Sequence, residues 1–580
     1  MNSHVMVGTE VFDLNRAIDA ATRVVDAAPE DHPNLAVLLS DLGNLAWRFK
    51  HTDSIDDLNR AVDITTNAVD ASPEDHPDRA GQLNHLRIWL GMRFDRTGSL
   101  DDLNHALSSY KEGYRCLTAP PSTRTHPASA AADILTSQQD WEGSSQLLRD
   151  AVYLIPTRML ADFAGLAAKA AATALHAKQG AYHALQLLEL GRGHPSLANE
   201  FVTLPEKAFT QLITRIQAQP GFNTFHLPPT EHELKAAANP DPVIIVNLSP
   251  YRCDAFLIER DRIRAIELPN LTLVDAKRQA VHLRQSAETG ADITSQLEWL
   301  WDTTCQPILD ALGLRQPVTD NSWPRVWWIS TGHLGQLPLH AAGRYTRTSS
   351  ETVLDRVMSS YAPSIKALLH GRRHRTRNAV EGQKDSALIH CLSLQLDPIT
   401  PRLRKNDVLE HLNRCRIFHF AGHGETVLTE PSQSRLLLEG WQTDPLTAGD
   451  LRDSRLQENS PFLAYLSACS TGANDTLQLA DEGIHLVSAF QLAGFRHVVG
   501  TLWKVSDKAC VDAARVLYET LRSEGMTDAA VCRGLHRAIR AVRDGQIEGG
   551  QARDATLVSL GTWTRGWTNY YWVPYIHYGV

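Results

Sequence analysis

Two stretches of this chain indicate its fold most clearly: Phe418-His-Phe-Ala-Gly-His-Gly424 and Leu466-Ser-Ala-Cys-Ser-Thr-Gly472. Each follows a short apolar run, Arg416 to Ala421 in the first case and Phe462 to Leu466 in the second, that predicts a buried strand. Both stretches end in small residues, which is typical of a tight turn where the backbone approaches a ligand closely. If the two strands are neighbours in a parallel sheet, the loops at their carboxyl ends line one functional crevice.

The two turns carry a candidate catalytic pair, His423 and Cys469. A thiol with its ordinary pKa of about 8.5 is mostly protonated at neutral pH, so a nucleophilic cysteine needs a base beside it. We predict that His423 is that base and Cys469 the nucleophile, as in a cysteine peptidase. The oxyanion of the tetrahedral intermediate would be stabilised by the backbone N–H groups of Gly424 and Cys469. A side chain at position 424 would crowd the substrate carbonyl, which explains a glycine there.

A metal site is the alternative interpretation of the same residues. His419 and His423 are four residues apart, and with Cys469 they could indicate zinc. However, His419 lies between two phenylalanines within the predicted strand, so we expect it to point into the packing of the sheet. Since no fourth ligand is evident, the sequence predicts neither a metal nor any other cofactor.

Composition excludes several classes of protein. The chain has 580 residues, a net charge of −9 and 43% hydrophobic residues, which is typical of a globular protein of several domains and gives no reason to expect nucleic acid binding. It contains neither an apolar run long enough for a membrane helix nor a secretory signal. A signalling ATPase is excluded because there is no phosphate-binding loop of the Gly-x-x-x-x-Gly-Lys-Ser/Thr type. Eight scattered cysteines suggest free thiols, so we expect a cytoplasmic protein.

The N-terminal part of the chain is repetitive. An Asp-Leu-Asn-x-Ala marker recurs with a period of about 44 residues, and so does a Pro-Glu-Asp-His-Pro element that would break a helix. The period predicts pairs of helices stacked into a solenoid over residues 1–125, followed by a helical connector or the end of the solenoid over 126–235. We describe the repeats as tetratricopeptide-like, although the period is longer than the ~34 residues of a standard tetratricopeptide unit and overlaps the HEAT and armadillo range. We expect the solenoid to bind a protein partner; the alternative is that it only covers the flank of the next domain. The markers are Asp13–Ala17, Asp57–Ala61 and Asp102–Ala106, and the breakers are Pro29–Pro33 and Pro73–Pro77.

Strands and helices alternate from residue 240 to residue 580. This pattern predicts one α/β domain with a mainly parallel sheet covered by helices on both faces, and the fold class of the chain is therefore α plus α/β. The aromatic residues from Trp567 to Tyr575 are expected to seal its core. Besides the two motif strands, we predict strands at 243–248, 254–259, 325–330, 387–392 and 498–503, and helical segments at 274–312, 483–493 and 510–521.

The second half of the chain resembles the CHAT domain, a peptidase module of the caspase and separase type that is often attached to tetratricopeptide repeats. The resemblance covers roughly residues 242–580, and the spacing of 46 residues from His423 to Cys469 also suits caspase-type enzymes. It implies a cysteine endopeptidase with protein substrates. Besides the catalytic pair, the matching blocks are Trp327–Gly332, Leu337–Gly343, Ser360–Ser364, Asp481–Leu486, Gly500–Trp503 and Asp507.

The resemblance also implies a substrate preference. Asp507 occupies a position similar to that of the acidic residue in the substrate pocket of separase, so we expect cleavage after Arg or Lys. Asp481 is a second candidate, although it could simply cap the helix that follows.

One segment departs from the family pattern. Residues 372–405 are shorter and more basic than the corresponding part of other members, and a strand or helix could be missing from the sheet. Two functions therefore remain open at this point: a peptidase regulated by a partner on the repeats, or an inactive CHAT scaffold that acts through protein–protein interaction. The sequence does not indicate an oligomeric state.

Overall fold

The structure of the protein is a computed structural model. It describes residues 55–76, 78–116, 119, 123–124, 128–154, 165–191, 206–220, 225, 227–319, 322–345, 351–373, 387–391, 404–412, 415–425, 427, 431–454, 461–468, 486–505, 507–545 and 570–580. The first copy of each repeat marker lies outside these residues.

The N-terminal part is helical, as predicted. Leu58 and Ala61 of one repeat marker, and Leu103 and Ala106 of the next, are all at most 4% exposed. The marker therefore recurs because one face of a helix is buried at the same place in each repeat. The helices are α1 (Ile55–Asp70), α2 (Arg79–Thr97), α3 (Leu100–Arg115), α4 (Ala128–Ser137) and α5 (Trp141–Leu154).

The polar residue of the marker has a structural role as well. Asp102 is largely buried and accepts two hydrogen bonds from Arg93, at 2.9 Å to Nε and 2.6 Å to Nη2. The N-terminus of the same helix is capped by the Ser99 hydroxyl, which accepts from the Asp102 N–H. Pro73, one of the helix breakers, lies in the turn between α1 and α2.

The chain divides into two compact units. The first consists of Met1–Leu166, His176–Lys178 and Glu200–Phe225, and the second of Ala167–Leu175, Gln179–Asn199 and His226–Val580. Four further helices precede the sheet: α6 (Leu166–His176), α7 (Ala181–Leu190), α8 (Glu206–Gln217) and α9 (Glu231–Ala237). The predicted domain boundaries at 125, 235 and 240 stay a prediction.

A ten-stranded sheet forms the framework of the second unit. Its strands are β1 (Val243–Asn247), β2 (Asp254–Ile258), β3 (Ile263–Glu267), β4 (Arg325–Ser330), β5 (Met358–Tyr361), β6 (Ala387–Cys391), β7 (Ile417–Gly422), β11 (Leu463–Ala468), β12 (His497–Thr501) and β13 (Tyr575–Gly579). The spatial order is β3-β2-β1-β4-β5-β13-β12-β11-β7-β6.

The sheet is mostly parallel, as the alternation of strands and helices predicts. Strands β1, β4, β5 and β13 are paired in parallel, and so are β12, β11, β7 and β6. The two parallel blocks run in opposite directions, because β13 pairs with β12 in the antiparallel sense. β1 and β2, both predicted as strands, form an antiparallel hairpin, and β3 extends it to a third antiparallel strand.

The helices of the second unit bury their apolar faces against this sheet. One continuous core includes Trp328 of β4, Phe418 and Phe420 of β7, and Phe490 of a covering helix, all fully buried. The helices are α10 (Leu273–Thr289), α11 (Thr294–Leu300), α12 (Gln306–Ala311), α13 (Val353–Arg356), α14 (Ile365–Arg373), α15 (Lys405–Leu412), α16 (Ala448–Asp453), α17 (Leu486–Ala493), α18 (Asp507–Glu524) and α19 (Asp528–Asp544), with a π-helical turn at Trp301–Cys305 and short 3-10 turns at Gly332–Gln336, Leu339–Ala341, Pro431–Gln433 and Tyr570–Trp572.

A second, three-stranded antiparallel sheet follows β7. It is formed by β8 (Gly424–Glu425), β9 (Arg435–Leu436) and β10 (Leu446–Thr447). Leu436 and Leu446 are fully buried and belong to the main core, so this small sheet is anchored to the large one.

The structure refines several sequence predictions. The helical stretch predicted over 274–312 is interrupted by a turn after Gly290, whose φ of 71° ends α10, and the π-helical turn follows α11. The weak strand predicted at 387–392 is present as β6 and pairs along β7, so the shortened segment 372–405 does supply a strand. The aromatic C-terminal stretch contributes buried residues, among them Trp572 and Tyr575, as predicted, but it also forms the strand β13, which the sequence did not predict. Among the described residues, no helix combines the length and apolarity that crossing a membrane requires.

Candidate active site

The carboxyl ends of β7 and β11 lie side by side. The two strands pair in parallel from Leu463 opposite Ile417 to Ala468 opposite Gly422, and each of these last residues ends its strand. His423 is the next residue after β7, and Cys469 is the next residue after Ala468 in the sequence. Cys469 itself lies outside the described residues. The strand prediction for both motifs is confirmed, and so is their adjacency in the sheet.

Buried aromatic residues pack against one face of the strand that carries His423. Phe418 and Phe420 are fully buried on one face of β7, where the ring of Phe418 stacks on Phe490 with centroids 5.6 Å apart. Aromatic pairs of this kind add to the free energy of burial and fix the position of the backbone. The turn after β7 therefore starts from a well-defined point.

His419 packs within the sheet, as predicted. Its Nδ1 lies 3.1 Å from the hydroxyl of Tyr518 on α18, and its ring contacts Tyr465 on β11 with centroids 4.8 Å apart. Burial lowers the pKa of His419 to about 4. The side chain is therefore a neutral packing group. Within the part of the chain that the structure describes, no cluster of three metal-ligating side chains occurs.

The backbone around His423 is fixed on both sides, while its side chain is exposed. Gly422 is held by its pairing with Ala468, and Gly424 by its pairing with Leu436 of β9. The carbonyl of His423 accepts a hydrogen bond of 2.8 Å from the N–H of Leu437. An exposed imidazole on a fixed backbone, at the carboxyl edge of a parallel sheet, is suited to proton transfer with a bound molecule.

An ion pair lies beside this histidine. Arg435 Nε donates to Glu425 Oε2 at 2.7 Å, between residues directly opposite each other on β8 and β9. The hydrogen bond from Arg435 lowers the pKa of Glu425. The guanidinium also lies over the ring of Trp441, 5.8 Å from its centroid. No sequence pattern singled out Glu425 or Arg435, because they come together only through the antiparallel pairing of β8 and β9.

The remaining predicted site residues are only partly placed. Gly424 is the first residue of β8. Asp507 is the first residue of α18, which follows β12, and the position of its side chain lies outside the described residues. Asp481 also lies outside them. The roles of His423, Cys469, Gly424, Asp507 and Asp481 remain predictions.

Comparisons with known proteins address the family. Two structures of the Saccharomyces cerevisiae separase–securin complex are similar to this chain: one has a TM-score of 0.48 and 11% identity, the other 0.49 and 10%. The similarity covers 100% and 97% of this chain, and 49% and 48% of the respective separase chains. This chain therefore spans about half the length of these separases. No curated protein matches the chain. Residues 398–580 match the family model of the CHAT domain, and the predicted resemblance to that family is thereby confirmed over this part of the chain.

Proposed function

We propose that this protein is a cysteine endopeptidase in which Cys469 is the nucleophile and His423 the general base and acid. The observation that carries the proposal is the pairing of Gly422 with Ala468. Because neighbouring strands lie about 4.8 Å apart, residues that follow paired strand ends start from adjacent positions. The exposed imidazole of His423 and the match to the CHAT domain support the same assignment.

The proposed reaction has two steps. His423 takes the proton of the Cys469 thiol, the thiolate attacks the carbonyl carbon of the scissile peptide bond, and the resulting imidazolium protonates the departing amine. A thioester of Cys469 remains. Water, deprotonated by His423, then attacks the thioester carbonyl, which releases the carboxylic acid and returns the proton to the thiolate.

The orientation of Gly424 supports its proposed role at the oxyanion. Leu437 N–H donates to the His423 carbonyl, so residues 423 and 437 form the hydrogen-bonded pair of the β8–β9 ladder. In an antiparallel ladder such pairs alternate with pairs whose N–H groups point away from the partner strand. Gly424, opposite Leu436, belongs to the second kind, so its N–H points away from β9, and we propose that it donates to the substrate carbonyl. The N–H of Cys469 would be the second donor.

The substrates we propose are proteins cleaved after Arg or Lys, with Asp507 as the acidic residue that binds the basic side chain and Asp481 as its alternative. The helical region, with proposed limits at residues 1–125 and a connector to residue 235, would bind a protein partner and thereby shift the peptidase toward its active form. The two separase structures are of a complex with securin, which is a property of separase. The six cysteines whose side chains the structure describes are free thiols, which supports the expected reducing, cytoplasmic compartment.

The test is covalent labelling with an electrophilic peptide probe that carries Arg or Lys at the position before the warhead. Intact mass measurement should show one adduct on the wild type and none on Cys469→Ala or His423→Ala. Cys510→Ala is the matched control, because it removes a partly exposed thiol from α18 and should label normally. A probe without a basic residue should react more slowly.

The competing function is an inactive CHAT scaffold. Failure of the wild type to react, alone and in the presence of candidate partners, would favour it. The presence of β6 beside β7 removes one argument for this alternative, since the shortened segment before the histidine motif still completes the sheet.

A further inference from the structure

The outward face of the β8–β9 ribbon begins at the candidate catalytic histidine. Side chains alternate between the two faces of a strand. Leu436 is fully buried, so Gly424 and Leu436 belong to the face that turns toward the core. His423, Glu425, Arg435 and Leu437 therefore share the opposite face, and their partial or full exposure agrees with this.

On that face the ion pair of Glu425 and Arg435 lies next to His423 in the ribbon. Glu425 lies two residues from His423 on the same strand. Arg435 lies diagonally across from it, at the distance of about 7–8 Å that separates diagonal neighbours in a ribbon. A separate ion-pair group lies beside β10, where Lys405 of α15 pairs with Asp444 at 3.1 Å and Asp450 at 2.9 Å.

The ion pair is also part of a local support for the turn. Arg435 connects Glu425 to Trp441, which lies beyond β9 in the chain. Ser434, next to Arg435, is 1% exposed, and its hydroxyl accepts from the Val427 N–H at 3.1 Å. Its carbonyl accepts from the Ala448 N–H at 2.8 Å. The ribbon that returns to His423 is thus tied at its side chains and at its backbone.

We propose that Glu425 and Arg435 are positioning residues for His423: the pair fixes the ribbon that holds the histidine backbone, and it keeps the net charge beside the imidazole at zero. This inference rests on the proposed function, because it assigns the pair to the same reaction. An exposed ion pair contributes little to the stability of a whole domain. Its effect is instead local, on a turn where a displacement of about 1 Å reduces the rate strongly.

The charge part of the proposal makes predictions of opposite sign. Arg435→Gln leaves the Glu425 carboxylate unbalanced, and a negative charge favours the protonated imidazolium. Glu425→Gln leaves the Arg435 cation unbalanced, which disfavours it. The acid limb of the pH–rate profile for peptide hydrolysis, where protonation of the imidazole removes the base, should move up in the first variant and down in the second. At this separation the shift is on the order of half a pH unit in each direction.

The position part predicts a loss of rate in both single variants. We expect kcat to fall about tenfold with little change in KM, since the histidine is displaced while the substrate still binds. The exchanged pair Glu425→Arg/Arg435→Glu should recover most of the rate and bring the profile back toward that of the wild type. Arg262→Gln is the matched control: it breaks a hydrogen bond of 2.8 Å to Glu259 next to β3, at the far edge of the large sheet.

Hydrogen–deuterium exchange supplies a readout that does not require activity. The Leu437 amide, which donates to the His423 carbonyl, should exchange faster in Arg435→Gln than in the wild type. Its exchange rate in Arg262→Gln should equal that of the wild type. Equal rates, equal pH profiles and equal exchange in wild type and single variants would overturn the inference. If the wild type neither labels nor hydrolyses peptides, the proposed function fails, and the exchange of Leu437 then decides the positioning of His423 alone: faster exchange supports it and unchanged exchange overturns it.

Discussion

One exposed histidine and a group of four buried histidines differ in their surroundings and therefore in their chemistry. His423 is exposed at the carboxyl edge of β7, on a backbone held by β8, β9 and β11. By contrast, four histidines around β13 are at most 4% exposed; they are His340, His497, His536 and His577. Burial lowers the pKa of each of the four, to about 4 for His340 and His497 and to about 3 for His536. The same side chain is thus an exposed candidate base in one place and a neutral, buried hydrogen-bonding group in another.

The buried group contains a directional row of hydrogen bonds. Asp528 lies 2.9 Å from Nε2 of His497, so this nitrogen carries the proton. Neutral His497 then accepts at Nδ1 from Nε2–H of His577, at 3.1 Å. His577 in turn accepts at Nδ1 from the Ser360 hydroxyl at 2.9 Å, and the oxygen of Ser360 accepts from Nε of Arg325 at 3.0 Å. Each donor meets an acceptor only if both imidazoles are neutral.

This row connects strands that are far apart in the sequence. Ser360 is on β5, His577 on β13 and His497 on β12, and β13 joins the two halves of the sheet that run in opposite directions. The row is closed by Asp528 at the start of α19, which Arg496 also binds, at 2.6 Å. Although burial raises the pKa of Asp528, hydrogen bonds from His497 and Arg496 lower it below its ordinary value. The group therefore connects β5, β13 and β12 at the centre of the sheet.

The largest effect expected from this difference is acid instability. In the unfolded chain each of the four imidazoles binds a proton near pH 6.5, whereas in the folded protein those of His340 and His497 do so only near pH 4. The unfolded state thus binds more protons in this window, and the free energy of unfolding falls as the pH falls from 6.5 toward 4. At pH 5.5, one unit below the unfolded pKa, the loss is about 1.4 kcal/mol per imidazole, or on the order of 5 kcal/mol for all four.

Urea unfolding followed by circular dichroism at pH 7.5, 6.5 and 5.5 measures this loss. The variant His282→Gln, which removes an exposed imidazole from α10, should leave the slope with pH unchanged. A wild-type stability that is flat between pH 7.5 and 5.5 would mean that the buried histidines are protonated in the folded state.

Much of the site could be predicted from the sequence. The runs before Gly422 and Ala468 are short, apolar and followed by small residues, so local pattern alone indicates two buried strands with turns at their ends. The rule that parallel strands place their carboxyl ends at one edge then predicts a shared crevice if the two strands are neighbours, and the pairing of β7 with β11 shows that they are. Likewise, the marker around Leu58 and Leu103 repeats because a helix face is buried in the same way each time.

The rest could not be predicted, because it depends on contacts between residues far apart in the chain. Ser360 and His577 are 217 positions apart, and no local pattern connects them. The aromatic residues of the stretch that contains β13 predict burial in the core. The stretch forms a strand because it pairs with β5 on one side and β12 on the other. Glu425 and Arg435 are 10 positions apart, but their pairing depends on the register of a ribbon with strands of two residues.

A second prediction separates the two kinds of histidine by mutation. His577→Ala leaves a cavity and removes the partner of both Ser360 and His497, so it should reduce the free energy of unfolding by about 3 kcal/mol. His423→Ala removes an exposed side chain and should change it by less than about 0.5 kcal/mol. Chemical unfolding at pH 7.5 measures both values, and probe labelling of the folded fraction should be retained in His577→Ala and lost in His423→Ala. Retained labelling in His423→Ala would contradict the assignment of the base.

The smallest expected effect is the coupling between Ser360 and His577. If the row acts as a unit, Ser360→Ala and His577→Ala remove the same hydrogen bond, and the double variant should be more stable than the sum of the two losses predicts, by about 1 kcal/mol. Ser359→Ala is the matched control, because the hydroxyl of Ser359 accepts from Trp328 Nε1 at 3.0 Å, a hydrogen bond that is not part of the row. Its loss should add to that of His577→Ala within about 0.5 kcal/mol. Coupling of equal size in both cycles would show that the effect comes from loosening of β5 as a whole, whereas coupling confined to Ser360 would assign it to the hydrogen bond between β5 and β13.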